Sequence, residues 1–305
     1  MPKGGPSAAV GHALDAVRAR SDLRARRGND PVSFVHRYEA EDDREIVALV
    51  ASSAAFGNVR AILSKLEDLF TRTGPSPARA ADHPKTLEKK LSGFKHRLFR
   101  GEDLAKLMVG ARRVQKKAGS LGAAFAEDLR AADAAHEGDE EGALQDALGR
   151  FCDRIRVAGG LPCGGDKDPS GRRGPHHLLA DARSGSASKR VLLFLRWMVR
   201  PADGIDLGLW AVPTERLVIP VDVHIHKLSR NLGLTKRKDV SWRTAVEITR
   251  ALARFCPEDP VRYDFSLCHM GMVQRCPSRR DPQRCEGCGV KPVCVRWRRM
   301  RSRSA

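Results

Sequence analysis

One carboxylate in the second half of the chain lies where it could assist bond breaking. Apolar residues recur at the spacing of a buried helical stripe, at Val221, Ile225, Leu228 and Leu232. This pattern places Asp222 at or just before the start of a helix, where unpaired backbone N–H groups and the helix dipole keep a carboxylate ionised. Such a carboxylate can stabilise positive charge on a substrate, or it can simply cap the helix.

Four cysteines near the C-terminal end form a second group that could do chemistry. They follow the spacing C-x8-C-x2-C-x5-C, at Cys276, Cys285, Cys288 and Cys294. In a reducing compartment such a group favours metal over disulfides. Four thiolates from one short loop can bind tetrahedral Zn²⁺ or a [4Fe–4S] cluster, and the spacing alone does not choose between them. Basic residues surround the group in the sequence: Arg279, Arg280, Arg284, Lys291, Arg296, Arg298 and Arg299.

Together these two groups resemble a known family. The run 221–224, followed by an apolar helix and by Asn-Leu-Gly-Leu at 231–234, resembles the catalytic-aspartate segment of the helix-hairpin-helix DNA glycosylases, the superfamily of endonuclease III. In that superfamily a C-terminal loop with four cysteines holds a [4Fe–4S] cluster. The family spacing is C-x6-C-x2-C-x5-C, so the first gap is two residues longer here. The resemblance therefore favours a structural [4Fe–4S] cluster over zinc.

The resemblance covers residues 14–296 and implies a fold, a partner and an activity. The fold would be all-α and two-lobed, with double-stranded DNA bound between the lobes. Asp222 would stabilise the charge that develops at C1′ when a damaged or mispaired base is flipped out and excised. The pattern at 196–200 and 206–210 resembles most closely an uncharacterised bacterial branch of the superfamily, of unknown function.

A segment rich in glycine and serine is similar to the hairpin of the superfamily, which has the form Leu-Pro-Gly-x-Gly-x-Lys-Thr-Ala. Lys189 follows Gly185 by four residues, as the sugar-attacking lysine of bifunctional members follows the first glycine, but Ala187 replaces the second glycine and the Leu-Pro pair is missing. Lys189 is therefore a candidate nucleophile with AP-lyase activity, or else a phosphate contact or a surface charge. Small residues before a buried helix favour anion binding, and the expected DNA contacts here are Gly185, Ser186, Ser188 and Arg190. Arg279 and Arg280, beside the cysteines, are expected to contact DNA as well.

Two further features depart from the superfamily pattern. Lys189 and Asp222 are 33 positions apart, whereas typical members have somewhat under twenty, so residues 201–217 would form an insertion. The turn at 52–58, which in the family faces the flipped base, lacks the usual void-filling glutamine, and Phe56 is the candidate wedge in its place. These departures leave open the hypothesis of a catalytically degenerate DNA-binding protein with the same fold.

The run from Asp222 to His226 also matches the Asp-x-His-x-His metal motif of amidohydrolases. That motif normally lies on the first strand of a (β/α)8 barrel, which needs around two hundred residues after it. The chain ends at residue 305, and the residues after the motif show a helical pattern. The sequence therefore disfavours an amidohydrolase, and His224 and His226 are expected to pack or to hydrogen-bond on the helix.

The composition indicates a polyanionic partner. The 305 residues carry a formal net charge of +18, and the pI is about 10.1. Neutralising phosphates releases counterions, so nucleic acid is the expected partner, although GC-rich coding can also enrich arginine. The sequence shows neither a signal peptide nor an apolar run of membrane-spanning length. We expect a cytoplasmic monomer that binds DNA and no membrane.

The sequence pattern divides the chain into segments. We expect a disordered N-terminus at 1–12, a bilobal helical domain at 13–274, an iron–sulfur loop at 275–296 and a basic tail at 297–305. Gly, Pro and charged residues predict a long loop at 159–184 inside the domain. Helices are predicted from Asp43 onward, after Gly57, and at 87–98, 102–118, 123–129, 241–255 and 263–272.

Overall fold

The computed structural model describes residues 7–163, 171–274, 276–277 and 279–298. Within these residues the chain is mostly helical and its one sheet is a two-stranded hairpin, so the all-α prediction is confirmed. None of the described helices is both long enough and apolar enough to cross a bilayer. Parts of the expected disordered N-terminus, long loop and basic tail lie outside the described residues, at 1–6, 164–170 and 299–305.

The elements follow the hydrophobic pattern of the sequence along most of its length. The α-helices are α1 (Ala8–Ala19), α2 (Leu23–Arg27), α3 (Glu41–Ala54), α4 (Val59–Thr73), α5 (Pro77–Ala81), α6 (Pro84–Lys90), α7 (Gly101–Ala118), α8 (Leu121–Ala135), α9 (Glu140–Gly159), α10 (Gly174–Leu178), α11 (Lys189–Val199), α12 (Val223–Leu232), α13 (Trp242–Ala253), α14 (Asp264–Gln274) and α15 (Val295–Arg298). The strands are β1 (Lys95–His96) and β2 (Phe99–Arg100). Short 3₁₀ turns lie at Pro31–Arg37, Ala182–Ser184, Thr214–Arg216 and Lys291–Val293.

The chain divides into two compact units. The terminal unit contains the described residues of Met1–Leu23, Gly185–Leu192 and Pro213–Ala305. The central unit contains those of Arg24–Ser184 and Leu193–Val212. Each unit therefore combines segments that are far apart in the sequence.

The central unit is organised around α7, which packs against α3 and α9, while α8 also packs on α9. Glycine permits the close approach of α7 to α9, because a β carbon at Gly110 would lie only 2.2 Å from the carbonyl oxygen of Ile155. Four aromatic rings pack on one another in the core of this unit, with centroid separations between 5.1 and 6.3 Å: Phe125, Phe151, Phe194 and Trp210.

A buried glutamate ties three segments of the central unit together. The Glu45 side chain, on α3, is almost fully buried. Its Oε1 accepts hydrogen bonds from Trp210 Nε1 at 2.8 Å and from the Gly122 N–H at 2.9 Å. Its Oε2 accepts from Gln115 Nε2 at 2.7 Å and from the Leu121 N–H at 2.8 Å. Four donors thus stabilise the buried charge and fix the start of α8 against α3.

Glu45→Gln should therefore lower the free energy of unfolding by about 2–3 kcal/mol, because the new amide nitrogen would face two N–H donors in a buried place. Denaturant unfolding measures the change. Glu67→Gln is the matched control, since Glu67 pairs with Arg37 at an exposed site and its loss should cost under about 1 kcal/mol. Equal losses for the two variants would contradict the structural role of Glu45.

The segment after α11 that was expected to be an insertion contributes to the core of the central unit. The fully buried Asp206 carboxylate accepts from Arg196 Nε at 3.1 Å and also contacts Arg200. Burial raises the pKa of the Asp206 carboxyl, and the two guanidinium groups oppose that rise. Ile205 and Trp210 from the same segment are also buried. Residues 201–212 are therefore a structural part of this unit, whereas 213–217 belong to the terminal unit.

The terminal unit is organised around α14, which packs against α12 and α1. The Tyr263 hydroxyl donates to Asp15 Oδ1 at 2.9 Å and joins the start of α14 to α1. A β carbon at Gly11 would lie 2.7 Å from the Phe255 ring, so glycine at this position lets α1 pack closely against Phe255. Ser241 caps α13 as expected, since its Oγ accepts from the Thr244 N–H.

Three segments differ from the sequence predictions. α1 begins at Ala8, so part of the expected disordered N-terminus is helical. The helix predicted at 87–98 is wrong in its second half, because α6 ends at Lys90 and Gly93 adopts φ +74°. The residues that follow form the β1–β2 hairpin with a two-residue turn. α9 was not predicted, although Asp139 caps it by accepting from the Gly142 N–H.

Candidate functional site

Asp222 is the N-cap of α12. Its Oδ1 accepts hydrogen bonds from the backbone N–H groups of His224 at 2.9 Å and Ile225 at 2.8 Å. The expected helix start is therefore confirmed, and Ile225, Leu228 and Leu232 are buried as the stripe indicated. The two backbone donors bind one oxygen of the carboxylate and leave the second oxygen to face other groups.

The second oxygen of Asp222 faces two side chains from other parts of the terminal unit. Lys189 Nζ lies 4.0 Å from Asp222 Oδ2, and the Cys268 Sγ–H donates to the same oxygen at 3.8 Å. The Lys189 side chain is 31% exposed and the Asp222 side chain 18% exposed, so both can be reached from solvent. The structure thus brings together the two predicted catalytic residues, which are 33 positions apart in the sequence.

The loop before α11 holds Lys189 in place. The Trp242 N–H donates to the Gly185 carbonyl oxygen at 3.0 Å, and Ser186 forms a bridge with Ser241. Gly185 adopts φ +81° and Ser188 adopts φ +44°, an uncommon conformation for a residue with a β carbon. The loop is therefore anchored to the start of α13, and its tight turn places Lys189 at the first position of α11.

Arg190 follows Lys189 in the first turn of α11. Burial lowers the pKa of the Arg190 guanidinium to about 10, so the group remains a cation at neutral pH. Because burial has removed part of the hydration of this guanidinium, an anion that binds to it forms a stronger charge-assisted hydrogen bond. Together with Gly185, Ser186 and Ser188, this residue forms the predicted phosphate-binding segment, and all four lie in the terminal unit.

The four C-terminal cysteines line one small cavity of about 20 Å³ beside α12. Asn231 Nδ2 donates to Cys276 Sγ at 3.3 Å. Burial raises the pKa of the thiols of Cys276 and Cys294, and the neighbouring sulfurs raise it further. The other lining residues are Leu228, Asn231, Pro277, Arg279, Val290, Lys291, Arg296 and Trp297.

Four thiols are a donor set that suits either a zinc ion or an iron–sulfur cluster. Tetrahedral zinc, with bonds of about 2.3 Å, would bring the sulfurs to roughly 3.8 Å from one another. Within the described part of the chain, no three His, Cys, Asp or Glu side chains lie close enough to hold one metal ion. The cysteines line a cavity, and Arg279, Lys291 and Arg296 line the same cavity.

A cationic pocket of about 410 Å³ lies next to the cysteines. It is lined by Lys227 of α12 and by Arg279, Arg280 and Arg284, with Asp281 as its one lining carboxylate. Arg284 Nε pairs with Asp281 at 3.4 Å, and Arg280 donates to the Arg296 carbonyl oxygen. The basic side chains outnumber the Asp281 carboxylate, so the pocket carries a net positive charge that suits a phosphate or another anion.

Phe56, the predicted wedge, belongs to the central unit and packs in an aromatic group. Its ring lies edge-on to those of Phe99 at 5.2 Å and His96 at 5.6 Å, and the Arg97 guanidinium lies 5.4 Å from its centroid. Leu98, at the turn of the β1–β2 hairpin, is 46% exposed. The exposed apolar side chain in this part of the unit is therefore Leu98, which the sequence pattern assigned to a helix.

Cys268 is the residue of the site that the sequence did not reveal. It lies within the helix predicted at 263–272, among apolar neighbours, and no motif contains it. Its contact with Asp222 joins residues 46 positions apart, and no local spacing signals such a contact. The packing of α14 on α12 creates it.

Comparisons with known proteins identify a family and no characterised relative. No curated protein and no solved structure matches the chain. A family model with the description Protein of unknown function (DUF2400) matches residues 30–273. The matched range contains Lys189, Asp222 and Cys268 and ends before Cys276. Because this range covers well over half of the chain, the protein belongs to the DUF2400 family.

Proposed function

We propose that this protein is a DNA N-glycosylase with a helix-hairpin-helix fold, which flips a damaged or mispaired base out of double-stranded DNA and excises it. The observation that carries the proposal is the approach of Lys189 Nζ to within 4.0 Å of Asp222 Oδ2. Each residue stands at the start of its own helix, and the superfamily places its lysine and its aspartate in equivalent sequence contexts. The proposal combines this geometry with the motif resemblance.

Asp222 is the essential carboxylate of the proposed reaction. Cleavage of an N-glycosidic bond develops positive charge at C1′ of the sugar, and a nearby carboxylate stabilises it. The bonds from the His224 and Ile225 N–H groups hold the carboxylate in one orientation, so little reorganisation is needed as the charge develops. Oδ2, which faces Lys189, is the oxygen directed at the sugar.

Lys189 is the nucleophile of the proposed bifunctional reaction. Asp222 Oδ2 first accepts a proton from the Lys189 ammonium group. The neutral amine then forms a bond to C1′ as the C1′–N bond to the base breaks, and Asp222 returns the proton to the departing base, which restores the carboxylate. Opening of the C1′–O4′ bond, with transfer of an amine proton to O4′, gives the Schiff base, which permits strand cleavage by β-elimination. If a water molecule attacks instead, the enzyme is monofunctional and Asp222 alone is required.

The charge of the terminal unit supports DNA as the partner. Gly185, Ser186, Ser188 and Arg190 offer a small-residue turn and a partly desolvated cation at the start of α11. The pocket around Arg279 and Arg280 offers a second cationic surface in the same unit, and the whole chain carries a net charge of +18. These features favour backbone phosphates as ligands.

Cys276, Cys285, Cys288 and Cys294 would hold the [4Fe–4S] cluster. When bound, the cluster would cross-link the C-terminal segment and so serve a structural purpose. The arginines of the same segment would then be presented to phosphates from a rigid loop. Asn231 supports this arrangement from α12, because it donates to Cys276 Sγ and accepts from Arg296 Nε at 3.2 Å.

The altered hairpin favours one alternative, a DNA-binding protein of the same fold without excision activity. Ala187 stands where the superfamily hairpin has its second glycine, and the Leu-Pro pair before Gly185 is missing. Tight binding to lesion-containing DNA without release of any base would support this alternative and reject the glycosylase.

Borohydride reduction in the presence of DNA with an abasic site should trap a covalent adduct on Lys189, because the reagent reduces a Schiff base to a stable amine. Peptide mass spectrometry locates the adduct. Lys189→Ala should lose at least about nine-tenths of the trapped product, whereas Lys117→Ala, a surface lysine of α7, should trap as the wild type does. An adduct at another lysine would reject Lys189 as the nucleophile; base release without any adduct would identify a monofunctional enzyme.

A further inference from the structure

The second oxygen of Asp222 is held by a thiol. Cys268, on α14, directs its Sγ–H at Oδ2 with a separation of 3.8 Å. Oδ1 is already occupied by the His224 and Ile225 N–H groups. The thiol contact therefore helps to determine the direction of the oxygen that faces Lys189.

The position of Cys268 relative to Asp222 is fixed by helix packing. α14 packs against α12, and Gly271 lies at the point of contact. A β carbon at Gly271 would lie 2.9 Å from Leu228 Cδ1 and 3.3 Å from His224 Cβ, so the helices approach as closely as glycine allows. Cys268 lies one turn before Gly271 and is thus held at a defined distance from the start of α12.

We propose that Cys268 is a positioning residue for Asp222, whose thiol orients Oδ2 for the reaction at the sugar. The inference rests on the proposed glycosylase function and adds a residue that the motif resemblance does not supply. Cys268 acts through Asp222 and need not touch the DNA.

A thiol suits this task because it is a weak donor. A serine hydroxyl at this position would stop short of Oδ2, because the Cβ–O bond is shorter than the Cβ–S bond and a hydroxyl hydrogen bond needs a closer approach. An aliphatic side chain would leave the orientation of Oδ2 to Lys189 alone. The thiol orients the oxygen and leaves it reactive.

The other ionisable groups near Asp222 come from the surrounding helices. Lys189 faces it from α11, and His224 lies on its own helix against α14. On α14, His269 stacks on Phe265 with ring centroids 4.2 Å apart. On α15, Arg296 bonds to Asn231 near the opposite end of α12. Among the described residues, Lys189 and Cys268 both contact Oδ2.

The pH dependence of single-turnover excision tests the proposal in two variants. In Cys268→Ser the shorter Cβ–O bond leaves the hydroxyl beyond hydrogen-bond reach of Oδ2, so the acid limb of the profile should move to higher pH by about 0.4–1 unit. In Cys268→Ala the loss of the donor should move the limb in the same direction and slow excision by roughly tenfold. A shift of the acid limb does not follow from a purely structural role. Wild-type profiles in both variants would overturn the proposal, and Cys163→Ser is the control.

A labelling experiment tests the contact without requiring any excision. In the reaction with iodoacetamide the Cys268 thiolate displaces iodide, an S–C bond forms, and the thiol proton passes to the buffer. A neighbouring carboxylate disfavours the thiolate, so Asp222→Asn should label at Cys268 about 3–10 times faster than the wild type at the same pH. Equal rates would overturn the contact. Faster labelling without base release in the wild type would retain the contact and reject the glycosylase.

Discussion

Asp222→Asn should slow single-turnover base excision by about 10³-fold or more, while the dissociation constant for lesion-containing DNA stays within about twofold of the wild type. The amide has the shape of the carboxylate, and asparagine is an equally good N-cap, so α12 should remain intact. The substitution removes the negative charge that faces C1′. Rapid-quench measurement of released base, together with fluorescence anisotropy for binding, separates the two effects.

A second aspartate at a helix start provides the control for this experiment. Asp139 caps α9 by accepting from the Gly142 N–H and is exposed on the central unit. Asp139→Asn should leave excision unchanged, because it alters a cap of the same kind without a neighbouring lysine. A loss of excision in both variants would mean that helix capping, and not the charge at Asp222, is what excision requires.

Cys288→Ser should lose the iron–sulfur cluster. We expect the wild-type protein to be brown and to contain about four iron atoms per chain, and the variant to be nearly colourless. Since the four thiols surround a cavity, loss of the cluster leaves that cavity unfilled and should lower the melting temperature by roughly 5–10 °C. Iron analysis, visible absorption and calorimetry measure these effects.

Cys163→Ser serves as the control for the cluster, because Cys163 lies far from the four cysteines in the sequence and in the other unit. This variant should keep the colour and the iron of the wild type. A colourless wild-type protein with one zinc per chain would contradict the cluster assignment. So would a Cys288→Ser variant that retains its full iron content.

The sequence pattern predicted the helices that have a regular apolar stripe and a capping residue at their start. Asp222 and Ser241 were placed at helix starts because capping residues precede apolar stripes, and α12 and α13 begin there. α3, α4 and α7 were likewise predicted from their stripes. These elements are mostly apolar on one face, so local spacing suffices to identify them.

Other elements depend on contacts that no local pattern contains. Charged and apolar residues at 87–98 fit a helical pattern, yet the chain turns at Gly93 and Arg97, both with positive φ, and forms a hairpin. The segment with Asp206 was expected to be an insertion, but Arg196 and Arg200 bind its carboxylate in the core. Buried ion pairs of this kind follow from tertiary packing.

Some residues of the candidate site could be predicted from sequence motifs, and others could be found only from tertiary contacts. Asp222 and Lys189 were identified because each lies in a motif. They are 33 positions apart in the sequence, and this spacing does not predict how close their side chains lie in the fold. The structure places them 4.0 Å apart by anchoring Gly185 to the Trp242 N–H. Cys268 has no motif and reaches Asp222 only through the packing of α14 on α12.

The most direct measurement of the central claim is the release of free base from a panel of duplexes, each with one damaged or mispaired base, by the wild type and by Asp222→Asn side by side. We expect the wild type to release the base from at least one duplex and Asp222→Asn to release none above background. Release at equal rates by both proteins would contradict the role of the carboxylate, and release from no duplex would contradict the glycosylase function.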